Sequence, residues 1–303
     1  MMKRTTIVLA LCVMWCLPLR GSAQTTPLNE TAEKLYASLN DDQKKQATLP
    51  LDSPERNKQV FTGGKREGIK IRTLNDEQKK LAIELLTAFT SDYGKQKAMK
   101  IADQKINNPP DDPGFERYYV CFFGDVGPGK TYAWRISEHH LTLVHVEVEK
   151  GAATGFGPIL LGADPPVLWD EEEDKMIALF GKMTPDERSK ANQQGKGVST
   201  EGPKGEGIRV GDLSPSAKEA AKAVFDNRLS FFSDPIQKEV RAMIDQQGGL
   251  DAMQIVFYGP AEKKCREGGR WDFKLFAGKS FLCDYEGTRG HIHLSMKGEL
   301  QPK

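Results

Sequence analysis

The sequence lacks the motifs of several common enzyme classes. It contains neither a His-Glu-x-x-His zinc-protease motif nor the Gly-x-Ser-x-Gly turn of serine hydrolases. Its five cysteines show no zinc-ribbon or Cys-x-x-Cys spacing. The sequence therefore does not indicate a serine hydrolase with that turn, a zinc protease with that motif, or a Cys-x-x-Cys redox enzyme.

Long apolar runs are missing outside the N-terminus. Met1-Met-Lys-Arg4 is basic, residues 5–19 are apolar but too short to cross a bilayer, and Gly21-Ser-Ala23 offers small residues for cleavage. We therefore interpret residues 1–23 as a signal peptide that is cleaved after Ala23. The mature chain is expected to be secreted or periplasmic and to have no membrane span.

The mature chain also lacks an excess of positive charge. The leader contains Lys3, Arg4 and Arg20, which leaves 40 of the 43 basic residues against 42 acidic ones. Nucleic-acid binding requires a basic surface, so a nucleic-acid partner is not expected. Any partner would be a small molecule or a cell-envelope ligand, whose identity the sequence does not indicate.

Three cysteines remain after cleavage, namely Cys121, Cys265 and Cys283. Cys265 and Cys283 flank a predicted β-hairpin and could form a disulfide in an oxidising compartment. Three buried thiols that act as small hydrophobic residues are an equally good interpretation. The sequence leaves this choice open.

The two halves of the chain resemble each other. Glu-Gly-Ile at 67–69 recurs at 206–208, and the segment at 135–145 aligns with 274–284 at the same offset of 139 positions. This offset predicts an internal duplication, with a first repeat at 24–165 and a second at 166–303.

The predicted fold class is α+β, with two tandem pseudo-repeats of two or three helices followed by an antiparallel hairpin or meander. Helices are expected to start at four capping residues, Asn40, Asn75, Thr184 and Ser214, with shorter helices near 95–104 and 235–246. An acidic run at 170–174 is expected to form a solvated first helical turn. Three strands are predicted in each half: 118–123, 131–136 and 141–149, then 253–258, 270–276 and 280–285.

Residues 124–131 match the phosphate-binding pattern Gly-x-x-x-x-Gly-Lys-Thr. That mechanism requires a helix after the loop, whose N-terminal amides hold the phosphates. Residues 132–136 instead alternate like a strand. We therefore predict a hairpin turn at Gly124 to Thr131 and no nucleotide cofactor.

All five histidines lie in two short stretches, which makes them the most informative feature of the chain. His139, His140 and His145 lie in one stretch, and His291 and His293 in the other. His291 and His293 would point to one side of a strand, whereas the adjacent His139 and His140 can share a site only at a bulge or turn. His145 is a weaker candidate because about 20 Å of strand separates it from His139.

The predicted metal ligands are therefore His139, His140, His291 and His293, at an interface between the repeats. Imidazoles of this kind suit zinc, copper, manganese or iron, and the sequence does not choose among these metals. Supplementary ligands could come from Glu138, Glu147, Asp284, Glu286 and Glu299. The alternative is that the histidines hydrogen-bond within a strand-end network and only stabilise the interface between the repeats.

Three stretches carry a wider pattern: Trp-Arg-x-x-Glu-His-His-Leu at 134–141, Gly-Ala-Asp-Pro at 162–165 and His-Ile-His at 291–293. In these stretches the chain resembles the secreted family known as domain of unknown function 3500, and the resemblance covers nearly all of the mature chain. Glu138 and Asp164 stand where that family usually has Gly and Asn. The resemblance implies that both histidine segments belong to one functional unit, and it implies no reaction.

The sequence thus favours an exported metal-binding protein, either a metal-dependent hydrolase or an oxidoreductase, in which the metal acts as a Lewis acid or activates a water molecule. Glu138 is the candidate catalytic residue, and a metal-free acid/base enzyme that pairs it with one histidine is a weaker hypothesis. The rival hypothesis is a non-catalytic envelope or ligand-binding module whose histidines are structural.

Overall fold

The computed structural model describes residues 27–107, 110–147, 155–163, 166–193, 207–277, 281–288 and 291–299. The predicted signal peptide at 1–23 lies outside these residues. No helix in the described part of the chain is both long and apolar enough to cross a membrane.

Helices form where the capping residues predict them. In three of them, α2 (Asp41–Ala47), α3 (Asp76–Phe89) and α6 (Pro185–Ala191), the N-cap residue and the third helical residue satisfy each other's backbone amides in a capping box. The N-caps of these helices are Asn40, Asn75 and Thr184, and Ser214 is the N-cap of α7. The described helices are α1 Pro27–Ser38, α2 Asp41–Ala47, α3 Asp76–Phe89, α4 Asp92–Ala102, α5 Asp170–Lys182, α6 Pro185–Ala191, α7 Pro215–Leu229 and α8 Asp234–Asp245. The four predicted starts are confirmed, whereas α1 has no counterpart in the sequence-based prediction.

Most of the strands belong to one mixed sheet, and β3 (Ile106–Asn107) and β4 (Pro110–Asp111) form a separate pair. The described strands are β1 Thr48–Leu49, β2 Ile69–Lys70, β3 Ile106–Asn107, β4 Pro110–Asp111, β5 Tyr119–Gly124, β6 Tyr132–Glu138, β7 Leu141–Glu147, β8 Gly155–Ala163, β9 Asn192–Gln193, β10 Ile208–Arg209, β11 Gln254–Tyr258, β12 Asp272–Ala277, β13 Phe281–Thr288 and β14 His291–Glu299. Helices precede antiparallel strands in both halves, so the predicted α+β class is confirmed.

The strand order of the large sheet is symmetric about its centre. It runs β1-β5-β6-β7-β8-β14-β13-β12-β11-β10, with β2 paired to β5 and β9 paired to β11. The last strands of the two halves, β8 and β14, pair antiparallel at the middle. The halves therefore share a single sheet, and the origin of this symmetry in a duplication stays a prediction.

The apolar stripes of the helices pack on one face of this sheet. Alternate strand residues such as Trp134, Leu161 and Ile292 join the helices in one large buried cluster. Side chains alternate across a strand, so the neighbouring positions point to the opposite face. His291 and His293 flank Ile292 and therefore lie on the face away from the helices.

The structure corrects the predicted strand pattern. Each half has a fourth long strand, β8 or β14, where only three were expected. The His-Ile-His segment lies beyond the last strand predicted for the second half, at 280–285, and it forms the beginning of β14. Pro158 lies within β8 and has no N–H group to donate to a neighbouring strand. A proline is therefore unfavourable in a central strand, and no strand was predicted there.

The structure also bears on the predicted hairpin and on the cysteines. Residues 124–131 connect the antiparallel strands β5 and β6, so the predicted hairpin is present. Cys121, Cys265 and Cys283 are three buried thiols, as the second interpretation had it.

The predicted solvated first turn of α5 is wrong for two of its carboxylates, because Glu172 and Glu173 are buried, whereas Glu171 is exposed. Glu172 forms an ion pair with Lys97, and Glu173 accepts hydrogen bonds of 2.7 Å from the Cys265 amide and the Tyr285 hydroxyl.

Candidate metal centre

A tight turn brings the first histidine pair to one place. His139 and His140 are the two residues between β6 and β7, whose ends pair at Glu138 and Leu141. His140 has a φ of 62°, in the left-handed region that residues other than glycine rarely occupy. Because of this turn the two rings stack, with centroids 3.8 Å apart and planes inclined by 25°, rather than pointing to opposite faces.

The second pair comes from the first residues of β14. His291 and His293 are two positions apart, and His293 lies opposite Gly162 of β8 on one side and Glu286 of β13 on the other. The turn after β6 reaches the same strand, because the Gly162 amide donates a 2.7 Å hydrogen bond to the His140 carbonyl. Residues that are 151 positions apart in the chain thus meet beside β8.

Three imidazoles converge at this point. The Nε2 atom of His291 lies 3.0 Å from Nε2 of His140 and 2.9 Å from Nε2 of His293. The ligand atoms of all three residues lie within 4.8 Å of one another. These distances are those expected of nitrogen atoms that share one metal ion, as each would lie about 2.0–2.1 Å from it.

Two linear hydrogen bonds cannot account for both of these short contacts. An imidazole nitrogen has one in-plane position, which holds either a proton or a lone pair. The Nε2 atom of His291 can therefore donate one hydrogen bond or accept one, but it faces two nitrogens at hydrogen-bond distance. A cation among the three lone pairs would satisfy all of them at once.

A glycine makes room for these rings. A Cβ atom at Gly162 would lie 2.8 Å from both Cγ and Cδ2 of His140 and 3.0 Å from Cδ2 of His293. Such distances are shorter than carbon–carbon van der Waals contact, which is about 3.5–4.0 Å. The approach of two histidine rings over β8 therefore depends on the absence of a side chain at position 162.

The protein environment keeps the turn histidines neutral. Burial, followed by the charge of the neighbouring histidines, lowers the pKa of His140 from 6.5 to about 2. Burial and the positive charge of Arg117 lower the pKa of His139 to about 4. Neutral imidazole is the form that binds metal, so no proton has to be displaced from these residues at neutral pH.

Glu286 is placed to orient one of the imidazoles. Its Oε2 atom lies 3.5 Å from Nδ1 of His293, while Nε2 of the same ring points to His291. A carboxylate beside Nδ1 favours the tautomer with the proton on that nitrogen, which leaves the lone pair on Nε2. This arrangement is typical of histidines that bind metal.

Glu138, the candidate catalytic residue, has a buried carboxylate that binds backbone amides and an arginine. Its oxygens accept hydrogen bonds from the backbone amides of Gly64, at 2.8 Å, and of His139. Oε2 also lies 3.5 Å from Nε of the buried Arg117. Burial raises the pKa of Glu138 against the opposing effect of these contacts. Glu138 thus ties the segment around Gly64 to the histidine turn.

The remaining predicted residues fall outside the convergent group. The His139 ring stacks on His140 without joining the three ligand atoms. His145 packs near Phe89 and Trp134, with Nε2 3.8 Å from Glu147. The other supplementary candidate carboxylates are Asp284, which lies 3.5 Å from Lys274, and Glu299, whose side chain lies outside the described residues.

Two residues of the site were not singled out from the sequence. Gly162 is part of the Gly-Ala-Asp-Pro stretch, but its role depends on the turn after β6. Phe61 packs edge-on against His293, with ring centroids 4.9 Å apart. Phe61 lies in a stretch without hydrophobic periodicity. Its position next to β14 therefore could not be predicted from the sequence.

Fold and site together define an α+β protein with a three-histidine centre that could hold a metal ion. The sequence model of the family described as "Protein of unknown function (DUF3500)" matches residues 21–297. The chain belongs to this family, as the resemblance implied. No curated protein and no solved structure matches the chain.

Proposed function

We propose that the protein is an exported metal-binding protein, a metal-dependent hydrolase or oxidoreductase, whose metal ligands are His140, His291 and His293. The observation that carries this proposal is the convergence of three Nε2 atoms at distances that suit one metal ion and that linear hydrogen bonds cannot satisfy in both contacts. Three protein ligands leave coordination positions for a water molecule and a substrate. The metal would activate that water or polarise the substrate.

The spacing of the nitrogens bears on the choice of metal. Two nitrogens at about 2.05 Å from an ion lie about 2.9 Å apart at a 90° angle and about 3.3 Å apart at the tetrahedral angle. The contacts of 2.9 and 3.0 Å match the right-angled arrangement. Among zinc, copper, manganese and iron, the spacing favours an ion with more than four ligands or a square arrangement.

His139 and Glu138 are assigned supporting roles at this site. The His139 ring stacks on the His140 ring without joining the three convergent ligand atoms, so we assign it the support of the His140 orientation. Glu138 holds the backbone of the same turn.

Elemental analysis of protein purified without an affinity tag tests this proposal. We expect about one transition-metal ion per chain, and loss of that ion in the double variant His291→Ala/His293→Ala. His145→Gln is the matched control, since His145 is a histidine of the same sheet outside the group, and it should retain the metal. Absence of metal from the native protein, even after dialysis against each of the four ions, would overturn the proposal.

A structural role is the second candidate, and one observation favours it. The triad connects the turn after β6 in the first half to β14 in the second half, so it could stabilise the shared sheet without a metal. In that case the double variant would lower the melting temperature, and added metal would leave the melting temperature of the native protein unchanged.

Export rests on the composition of the leader and has a direct test. N-terminal sequencing of the protein recovered from the periplasm or the medium should begin at Gln24. Recovery of the full-length chain from the cytoplasm alone would contradict export.

A further inference from the structure

We propose that the metal centre binds an organic acid, whose carboxylate coordinates the metal and whose apolar group packs on the exposed ring of Phe61. This inference rests on the proposed metal site and adds the chemical class of its ligand. It follows from the charge of the site and from the position of one aromatic side chain.

The charge of the site calls for an anion. All three proposed ligands are imidazole side chains, which bring no negative charge, so they leave the charge of a divalent ion uncompensated. Two carboxylates, Glu138 and Glu286, lie next to histidines of the site, and the positive charges of Arg117 and Arg66 act on His139. The two carboxylates and the two arginines balance one another in charge. The charge of a bound divalent ion would therefore remain uncompensated in a partly buried site. An anionic ligand in an open coordination position would compensate it.

Phe61 supplies an apolar surface beside the centre. Among the described residues it is one of two large hydrophobic side chains that are exposed, at 39%, the other being Ile83. Its ring meets His293 edge-on, with a centroid distance of 4.9 Å and an interplanar angle of 72°. A face of Phe61 is therefore open to solvent within reach of a molecule bound at the metal.

The chain on both sides of Phe61 is fixed to the sheet. The Val60 amide donates a 3.0 Å hydrogen bond to Oγ1 of Thr142, and the Gly64 amide donates a 2.8 Å hydrogen bond to Glu138. Because these anchors flank the ring within three residues, the ring is held near the metal centre rather than on a free loop. A surface that is fixed before binding spares a ligand the cost of ordering it.

The test is competition between small acids on the metal-loaded protein. Calorimetry would measure the affinities of benzoate, acetate and benzamide, which separate the carboxylate from the ring. We expect benzoate to bind about tenfold more tightly than acetate, which corresponds to one aromatic contact. Benzamide, which lacks the negative charge, should bind more weakly than benzoate.

The Phe61→Ala variant assigns the apolar contact. It should reduce the benzoate-to-acetate ratio to near one while keeping metal content and acetate affinity. Ile83→Ala is the matched control, because it truncates the other exposed large hydrophobic side chain, which lies in α3, and it should leave the ratio unchanged. Equal affinities of benzoate and acetate for the native metal-loaded protein, or an unchanged ratio in Phe61→Ala, would overturn the inference while the metal site stands. A protein that binds no metal would instead refute the proposed function on which it rests.

Discussion

Replacement of Gly162 by alanine is the sharpest test of the histidine geometry. The added Cβ would lie 2.8 Å from two carbons of the His140 ring, so this ring must withdraw by about 0.7 Å to reach normal contact. The His139 ring stacks on it at 3.8 Å, which limits its retreat. Metal–ligand distances tolerate only about 0.2 Å. The substitution therefore adds a single methyl group and displaces a proposed ligand.

Two quantities should change in Gly162→Ala. We expect metal affinity to fall about 10- to 100-fold, the usual effect of disturbing residues that orient metal ligands. The free energy of unfolding of the metal-free protein should fall by about 1–3 kcal/mol, as for an overpacked interior. Calorimetric metal titration gives the affinity, and urea unfolding gives the stability.

Gly181→Ala in α5 is the control, because a Cβ there meets no heavy atom within 4 Å. It should preserve metal binding and stabilise the helix by up to about 1 kcal/mol. Adding His140→Ala to Gly162→Ala should recover part of the lost stability, since the ring that clashes is then absent. Metal affinity in Gly162→Ala equal to that of the native protein would refute the placement of the rings over β8.

Four further substitutions address single interactions. Burial lowers the pKa of His140 to about 2 in the folded protein, whereas the unfolded chain binds a proton at this histidine below about pH 6.5. The free energy of unfolding therefore declines as the pH falls below that value. His140→Gln should therefore flatten the decline in urea-unfolding stability between about pH 6 and pH 4; an unchanged slope would contradict the burial of this ring. Lys97→Met should cost about 3–5 kcal/mol because it leaves the buried Glu172 carboxylate without its ion-pair partner, and adding Glu172→Leu should recover most of that loss in the same assay. Thr184→Ala should cost about 1 kcal/mol through loss of the α6 cap while Thr184→Ser retains it, as thermal unfolding would show. Glu138→Ala should accelerate hydrogen exchange of the two backbone amides that this carboxylate holds, and unchanged protection would exclude an anchoring role.

Helix starts could be predicted from the sequence because capping is local. The Asn40, Asn75 and Thr184 side chains each bind an amide three residues ahead, so a short window contains both partners of the interaction. The strands β5, β6, β7, β11, β12 and β13 were likewise predicted from short local segments rich in apolar, aromatic and β-branched residues.

Burial of polar groups depended on partners that are distant in the chain. The residues next to Glu172 in the sequence predict a solvated side chain. Its ion-pair partner in the buried site is Lys97, which is 75 positions away in the chain. Similarly, the choice of His140 over His139 as a convergent ligand follows from the left-handed φ at one turn position. The sequence therefore predicted that the two histidine clusters meet, but it could not show that they meet beside β8 or which of the four histidines converge.

The pairing of β8 with β14 makes each half of the chain incomplete. A polypeptide that ended after β8 would expose a nine-residue edge of unpaired N–H and C=O groups, and so would a polypeptide that contained only the second half. Each fragment would be a template for another strand. Co-expressed as separate polypeptides, the two halves should reassociate through this edge, whereas either half alone should pair with its own copies or aggregate.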